Sequence, residues 1–140
     1  MPNWQPNWQD VRWNWAAADY AAAQCDQRAE NVDSCATVRR GVGDTASSDW
    51  RGSFHLRFEM QMLDSSRNSW SLAATLHDAA ARIRRLSQMA RDEQTHRERE
   101  RERWRREKAE EDAAAARARA ASASRARARA AAQAAASSTA

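Results

Sequence analysis

The sequence predicts an all-α protein. Its core is an antiparallel, coiled-coil-like two-helix hairpin that dimerises into a four-helix bundle, followed by a charged helical extension and a low-complexity tail. Three observations predict this. Thirty-three of the 140 residues are alanine, which loses almost no side-chain entropy in a helix. Apolar residues recur along two long stretches in alternating steps of four and three, the period of a helix–helix seam. The three glycines and two prolines are too few to punctuate a many-stranded sheet.

Residues 1–7 form a tryptophan-rich lead. The repeat Pro2-Asn3-Trp4-Gln5 and Pro6-Asn7-Trp8-Gln9 is followed by Trp13 and Trp15, so four of the seven tryptophans fall in the first 15 residues. Asn7 is placed to cap a helix, with Asp10 three positions on as the acidic partner of a capping box, and the first helix is expected to begin near Trp8. Trp8 and Trp15, seven apart, are expected to cap the end of the hairpin. Trp4 and Trp13 are left as an exposed candidate surface for a partner.

The hairpin is expected over residues 8–95. Val11, Trp15, Ala18, Ala22, Cys25, Ala29, Val32 and Ala36 form the first seam without interruption. After Trp15 nearly all of them are small, so a partner helix can approach closely and is expected to supply the bulk. Cys25 and Cys35 lie about 15 Å apart along one helix, too far for an internal disulfide, and read as small buried side chains rather than a redox pair. Arg39 and Arg40 suit a helix C-terminus, and Gly41 and Gly43 can adopt a left-handed cap, so the first helix is expected to end there. A polar loop from Asp44 to Asp49 precedes Trp50-Arg51-Gly52.

The second seam reads Phe58, Met62, Ser65, Ser69, Leu72, Leu76, Ala79, Ile83, Leu86 and Ala90, with Phe54 one turn earlier. Leu63 and Trp70 form a stripe beside it, more than one hairpin needs to bury, and so point to a dimer. Residues 96–112 lose the apolar seam and alternate Arg with Glu, as expected of a solvated helix. Residues 113–140 are alanine and arginine with Ser, Thr and Gln, without an acid or a large apolar group. A transient helix or a disordered tail is expected there.

Charge is uneven. Residues 1–95 carry 11 basic and 12 acidic groups and residues 96–140 carry 12 and 7, so the net +4 resides in the C-terminal part. Arg117, Arg119, Arg125, Arg127 and Arg129 form a candidate anion-binding tail that would engage phosphate backbones by counterion release, or simply keep the chain soluble. The opening residues lack the charged and apolar regions of a secretory signal, and no stretch approaches a membrane span. Neither the cysteines nor His55, His77 and His96 have the paired spacing of a metal site, and Gly41-Val42-Gly43 is not a dinucleotide fingerprint. No metal, cofactor or catalytic activity is expected.

Read locally, Trp50 is the first core aromatic of helix two and Gly52 a loop residue. Read between two seams, with Phe54 four residues on, Trp50-Arg51-Gly52 resembles the Trp-X-Gly (WXG) family of type VII secretion substrates over about residues 8–95. The resemblance implies a helical hairpin that dimerises with itself or a related protein, Trp50 packed across the bend, Gly52 permitting close backbone approach, and export without a cleaved signal peptide through a secretion ATPase. It departs from the family pattern of Tyr followed four residues later by an acid: the only tyrosine is Tyr20, and Trp104 has Lys108 at that spacing. The expected function is that of a non-enzymatic substrate or structural partner in such a system, secreted or at the cell surface. The alternative is a cytoplasmic nucleic-acid-associated coiled coil acting through the arginine tail.

Overall fold

The computed structural model describes residues 2–138 and contains two helices, α1 (Trp15–Ser47) and α2 (Ser53–Ser138), with no strand among the described residues. Two compact units are present: residues 11–92, and residues up to Asp10 together with those from Glu93 onward. The first unit is the antiparallel hairpin. Its contacts advance along α1 as they recede along α2, with Asp19 facing Arg91, Asp26 facing His77, Arg39 facing Ser69 and Gly43 facing Met62.

α1 begins at Trp15 and not near Trp8. Its cap is Asn14, held extended at φ −94° and ψ 92°, whose side-chain oxygen accepts from the Ala17 N–H at 2.9 Å. Asn7, the expected cap, accepts instead from the Gln9 N–H, and Asp10 binds Gln94 and Arg101 rather than completing a capping box. Residues 8–14 mix tryptophan, valine, aspartate and asparagine, all weaker helix formers than the alanines that follow Trp15. Val11 therefore lies outside α1, half-buried.

The other end of α1 also differs from expectation. The helix runs through Gly41 and Gly43 to Ser47, and neither glycine is left-handed. Gly43 is needed for space: a Cβ there would lie 2.7 Å from Met62 Cε. The only positive φ among the described residues is that of Gly52, +99°, immediately before α2.

The seam pairs small with small. Buried Ala22, Ala29, Ala36 and Gly43 recur every seventh residue on α1, and buried Ser66, Ala73, Ala80 and Ser87 do so on α2. Ala29 and Ala80 are fully inaccessible, and no large side chain among the described residues is fully buried. Helix two therefore does not supply bulk at the line of closest contact. Its bulky seam residues Phe58, Met62, Leu76 and Ile83 flank that line half-buried, as do Trp15, Ala18, Cys25 and Val32 of α1. Leu72 (51% exposed), Leu86 (50%) and Phe54 (79%) lie off the seam. The expected row Ser65, Leu72, Ala79, Leu86 is displaced by one residue to Ser66, Ala73, Ala80, Ser87, because leucines on the contact line would hold the backbones apart. The two serines lose little by burial. Ser66 Oγ donates to the Met62 carbonyl (2.9 Å), and Ser87 Oγ accepts from Trp13 Nε1 (3.0 Å).

α2 continues without a break through the Arg/Glu segment and the tail to Ser138, so the tail takes the helical form of the two expected. Its alanine content accounts for this without any packing.

Candidate functional site

The bend is the first candidate surface. The Trp50 N–H donates to the Ser47 carbonyl (3.0 Å), and Arg51 Nη1 donates to the Ser48 (3.2 Å) and Trp50 (2.8 Å) carbonyls, which secures the turn from within. Gly52 immediately precedes α2, its carbonyl accepting from the Leu56 N–H. The Trp50 ring meets Phe58 with centroids 5.4 Å apart at 60°, so its aromatic partner is one turn beyond Phe54. Half of Trp50 remains exposed.

Beside the bend, α2 carries a second apolar stripe. Leu56, Met60, Leu63 and Trp70 are all exposed and follow each other in steps of four, three and seven. Leu63 and Trp70 each follow a seam residue, Met62 and Ser69, by one position, which turns them about 100° away from α1. Leu63 also lines a shallow cavity of about 200 Å³ with Arg40, Gly43, Phe58 and Met62.

One polar cluster ties the hairpin together. Asp26 on α1 has His77 Nδ1 2.8 Å from Oδ1 and accepts from Arg84 Nη2 at Oδ2. The hydrogen bond to His77, then that from Arg84, hold its carboxyl below the ordinary carboxylate value. A depressed pKa stabilises the folded state above the unfolded value of about 4, and that contribution is lost as pH falls through the folded value. Asp26→Asn is expected to melt below wild type at pH 7, with the gap closing toward pH 3. Circular dichroism melts at the two pH values check this, and an unchanged gap would refute it.

In the other unit the Trp-rich lead is an extended strap on α2. Trp4 Nε1 donates to Glu107 Oε2 at 3.0 Å, and Arg103 lies over the Trp4 ring at 5.5 Å. Trp8 meets Trp104 edge to face at 5.5 Å, and Arg105 stacks on its ring. Between them Pro6 is buried, and Arg101 donates to the Asn7 carbonyl (2.8 Å) and to Asp10 Oδ1 (2.7 Å). Arg97 reaches the Gln9 carbonyl at 3.0 Å. Asp10, bonded first by Gln94 and then by Arg101, and Glu107, bonded first by Arg103 and then by Trp4, both have lowered pKa values.

These contacts revise several expectations. Trp4 is half-buried against its own chain, as is Trp13, whose indole is held by Ser87. Trp8 pairs with Trp104 rather than closing the hairpin beside Trp15. The Arg/Glu segment is not wholly solvated, since the Arg101 side chain is only 12% exposed. Arg97, Arg101, Trp104 and Glu107 were not recognisable as a binding face from their own segment. The available signals were the paired prolines, which disfavour a helical lead, and Trp104, the one aromatic of the charged segment.

Arg117, Arg119, Arg125, Arg127 and Arg129 are exposed on the terminal part of α2. At 3.6 residues per turn they spread around the axis, and only Arg125 and Arg129 are four apart on one face. Cys25 and Cys35 are both free. Among the described residues no group of three His, Cys, Asp or Glu side chains could hold a metal ion, and no helix is long and apolar enough to cross a membrane. No family model matches this sequence, and neither a curated protein nor a solved structure matches it.

Proposed function

We propose that the protein is a non-enzymatic helix–helix binding partner, a substrate or structural component of a type VII-like secretion system, exported without a cleaved signal peptide. The observation that carries this reading is the bend: Trp50-Arg51-Gly52 joins two antiparallel helices, with Gly52 at φ +99° and Trp50 on Phe58. The partner is a second copy or a related hairpin. Support comes from the hairpin's own packing, which fully buries no large side chain while Leu56, Met60, Leu63 and Trp70 stay exposed in one stripe. Pairing two such stripes forms a four-helix bundle, with the cavity beside Leu63 open to a partner side chain.

A second reading, phosphate-backbone binding by the tail, is favoured by one observation: an exposed helical segment with five arginines and no acid. Deleting residues 113–140 is expected to leave export and dimerisation intact, whereas Trp50→Ala abolishes export. Both are scored by immunoblot of culture medium from a host carrying a type VII system. Export blocked by the tail deletion but indifferent to Trp50→Ala would overturn the first reading and leave the second to be checked by salt-dependent DNA binding.

A further inference from the structure

The strap shows how one face of α2 holds an extended peptide. Its contacts run antiparallel to the helix, from Trp4 at Glu107 through Asn7 at Arg101 and Gln9 at Arg97 to Asp10 at Gln94. The six steps from Trp4 to Asp10 span about 19 Å at the ~3.1 Å rise of an extended chain. The thirteen steps from Gln94 to Glu107 span about the same at ~1.5 Å each, so strap and helix stay in register along their whole contact. The face recognises three things: indole rings, through Arg103, Arg105 and Trp104; backbone carbonyls, through Arg97 and Arg101; and a carboxylate, through Arg101 and Gln94.

The strap fills this face incompletely. Arg101 Nη2 and Trp104 Nε1 are buried without a hydrogen-bond acceptor. A buried donor without an acceptor is a standing cost to the strapped state. Trp8 remains 47% exposed, and Asn7, whose side chain sits nearest in sequence to these contacts, spends its oxygen on the Gln9 N–H.

We propose that the face of α2 from Arg97 to Glu107 is a binding site for an extended partner segment bearing tryptophan and more carboxylate than the strap, and that residues 4–10 are its displaceable internal occupant. Arg101, whose carboxylate partner belongs to the strap, and Arg105 supply charge complementarity for such a segment, Arg97 and Arg103 being paired with Glu93 and Glu107, and the two acceptor-less donors favour it over the strap. A short tether keeps the strap at an effective concentration of about millimolar, so the site is closed until such a competitor arrives.

The test uses the full chain and, as probe, a fluorescein-labelled peptide with the sequence of residues 2–10, read by fluorescence anisotropy. Trp4→Ala with Trp8→Ala is expected to bind the peptide at least tenfold more tightly than wild type, and adding Arg101→Ala is expected to remove that gain. A peptide with aspartate in place of Asn7 is expected to bind the double variant more tightly than the unaltered peptide. Pro6→Gly, which loosens the strap without removing an indole, provides the same comparison should the double variant lose helicity. No peptide binding by either loosened chain, equal binding by wild type and both, indifference to Arg101→Ala, or no preference for the aspartate peptide would overturn the proposal.

Discussion

Ala80→Leu is expected to destabilise the hairpin by about 1–3 kcal/mol, and Ala29→Leu by a similar amount. Both alanines are fully inaccessible on the line where α1 and α2 meet, and the seam there is small on both sides. An isobutyl group has no gap to enter. It either drives the helices apart, which strips contact from Ala22, Ala36 and Ala73, or forces an unfavourable rotamer. Leu72→Ala is the informative control, because Leu72 belongs to the neighbouring row and is 51% exposed, and its loss is expected to cost no more than about 0.5 kcal/mol. Chemical denaturation followed by circular dichroism measures all three. If Ala80→Leu were neutral and Leu72→Ala costly, the contact line would be the row containing Leu72.

The second large effect concerns association. Leu63→Glu with Trp70→Glu is expected to weaken self-association at least about 100-fold, as measured by sedimentation equilibrium, while the hairpin keeps its helicity. Both side chains are exposed in the hairpin, at 43% and 47%, so carboxylates there meet water and cost the isolated chain little. At the centre of a bundle the same carboxylates would be desolvated without partners, which is the costly case. The paired substitution on the opposite flank, Leu72→Glu with Leu86→Glu, serves as the comparison. If that pair, and not the Leu63 pair, produced monomers, the bundle would form through the other side of α2.

Much of the hairpin is legible in the residues themselves. The alternating four-and-three spacing from Trp15 to Ala36 and from Phe58 to Ala90 identifies two helices, but of the three glycines only Gly52 lies at the reversal, Gly41 and Gly43 being inside α1. The contact line of α2 was not legible to the residue. Met62, Ser69, Leu76 and Ile83 belong equally to a row with Ser65, Leu72 and Leu86 or to one with Ser66, Ala73, Ala80 and Ser87. Hydrophobicity alone favours the first. The chain uses the second because the facing row of α1 is alanine and glycine, and the free energy of close backbone approach depends on both helices at once. The candidate surfaces divide in the same way: Leu63 and Trp70 stand out as surplus apolar residues, whereas Arg101 and Trp104 acquire meaning only when a segment some ninety residues earlier lies on them.

By itself the sequence determined that this protein is helical, that two of its stretches pair, and that Trp50-Arg51-Gly52 occupies the reversal, because helix propensity and seam periodicity are local properties. Tertiary structure alone decided which of two asparagines caps α1, which row of α2 meets it, and that the tryptophan repeat becomes an extended strap. Each of those is a choice between locally similar alternatives. Asn14 caps while Asn7 does not because residues 7–10 find their hydrogen bonds on Arg97, Arg101 and Gln94, partners that no local pattern contains.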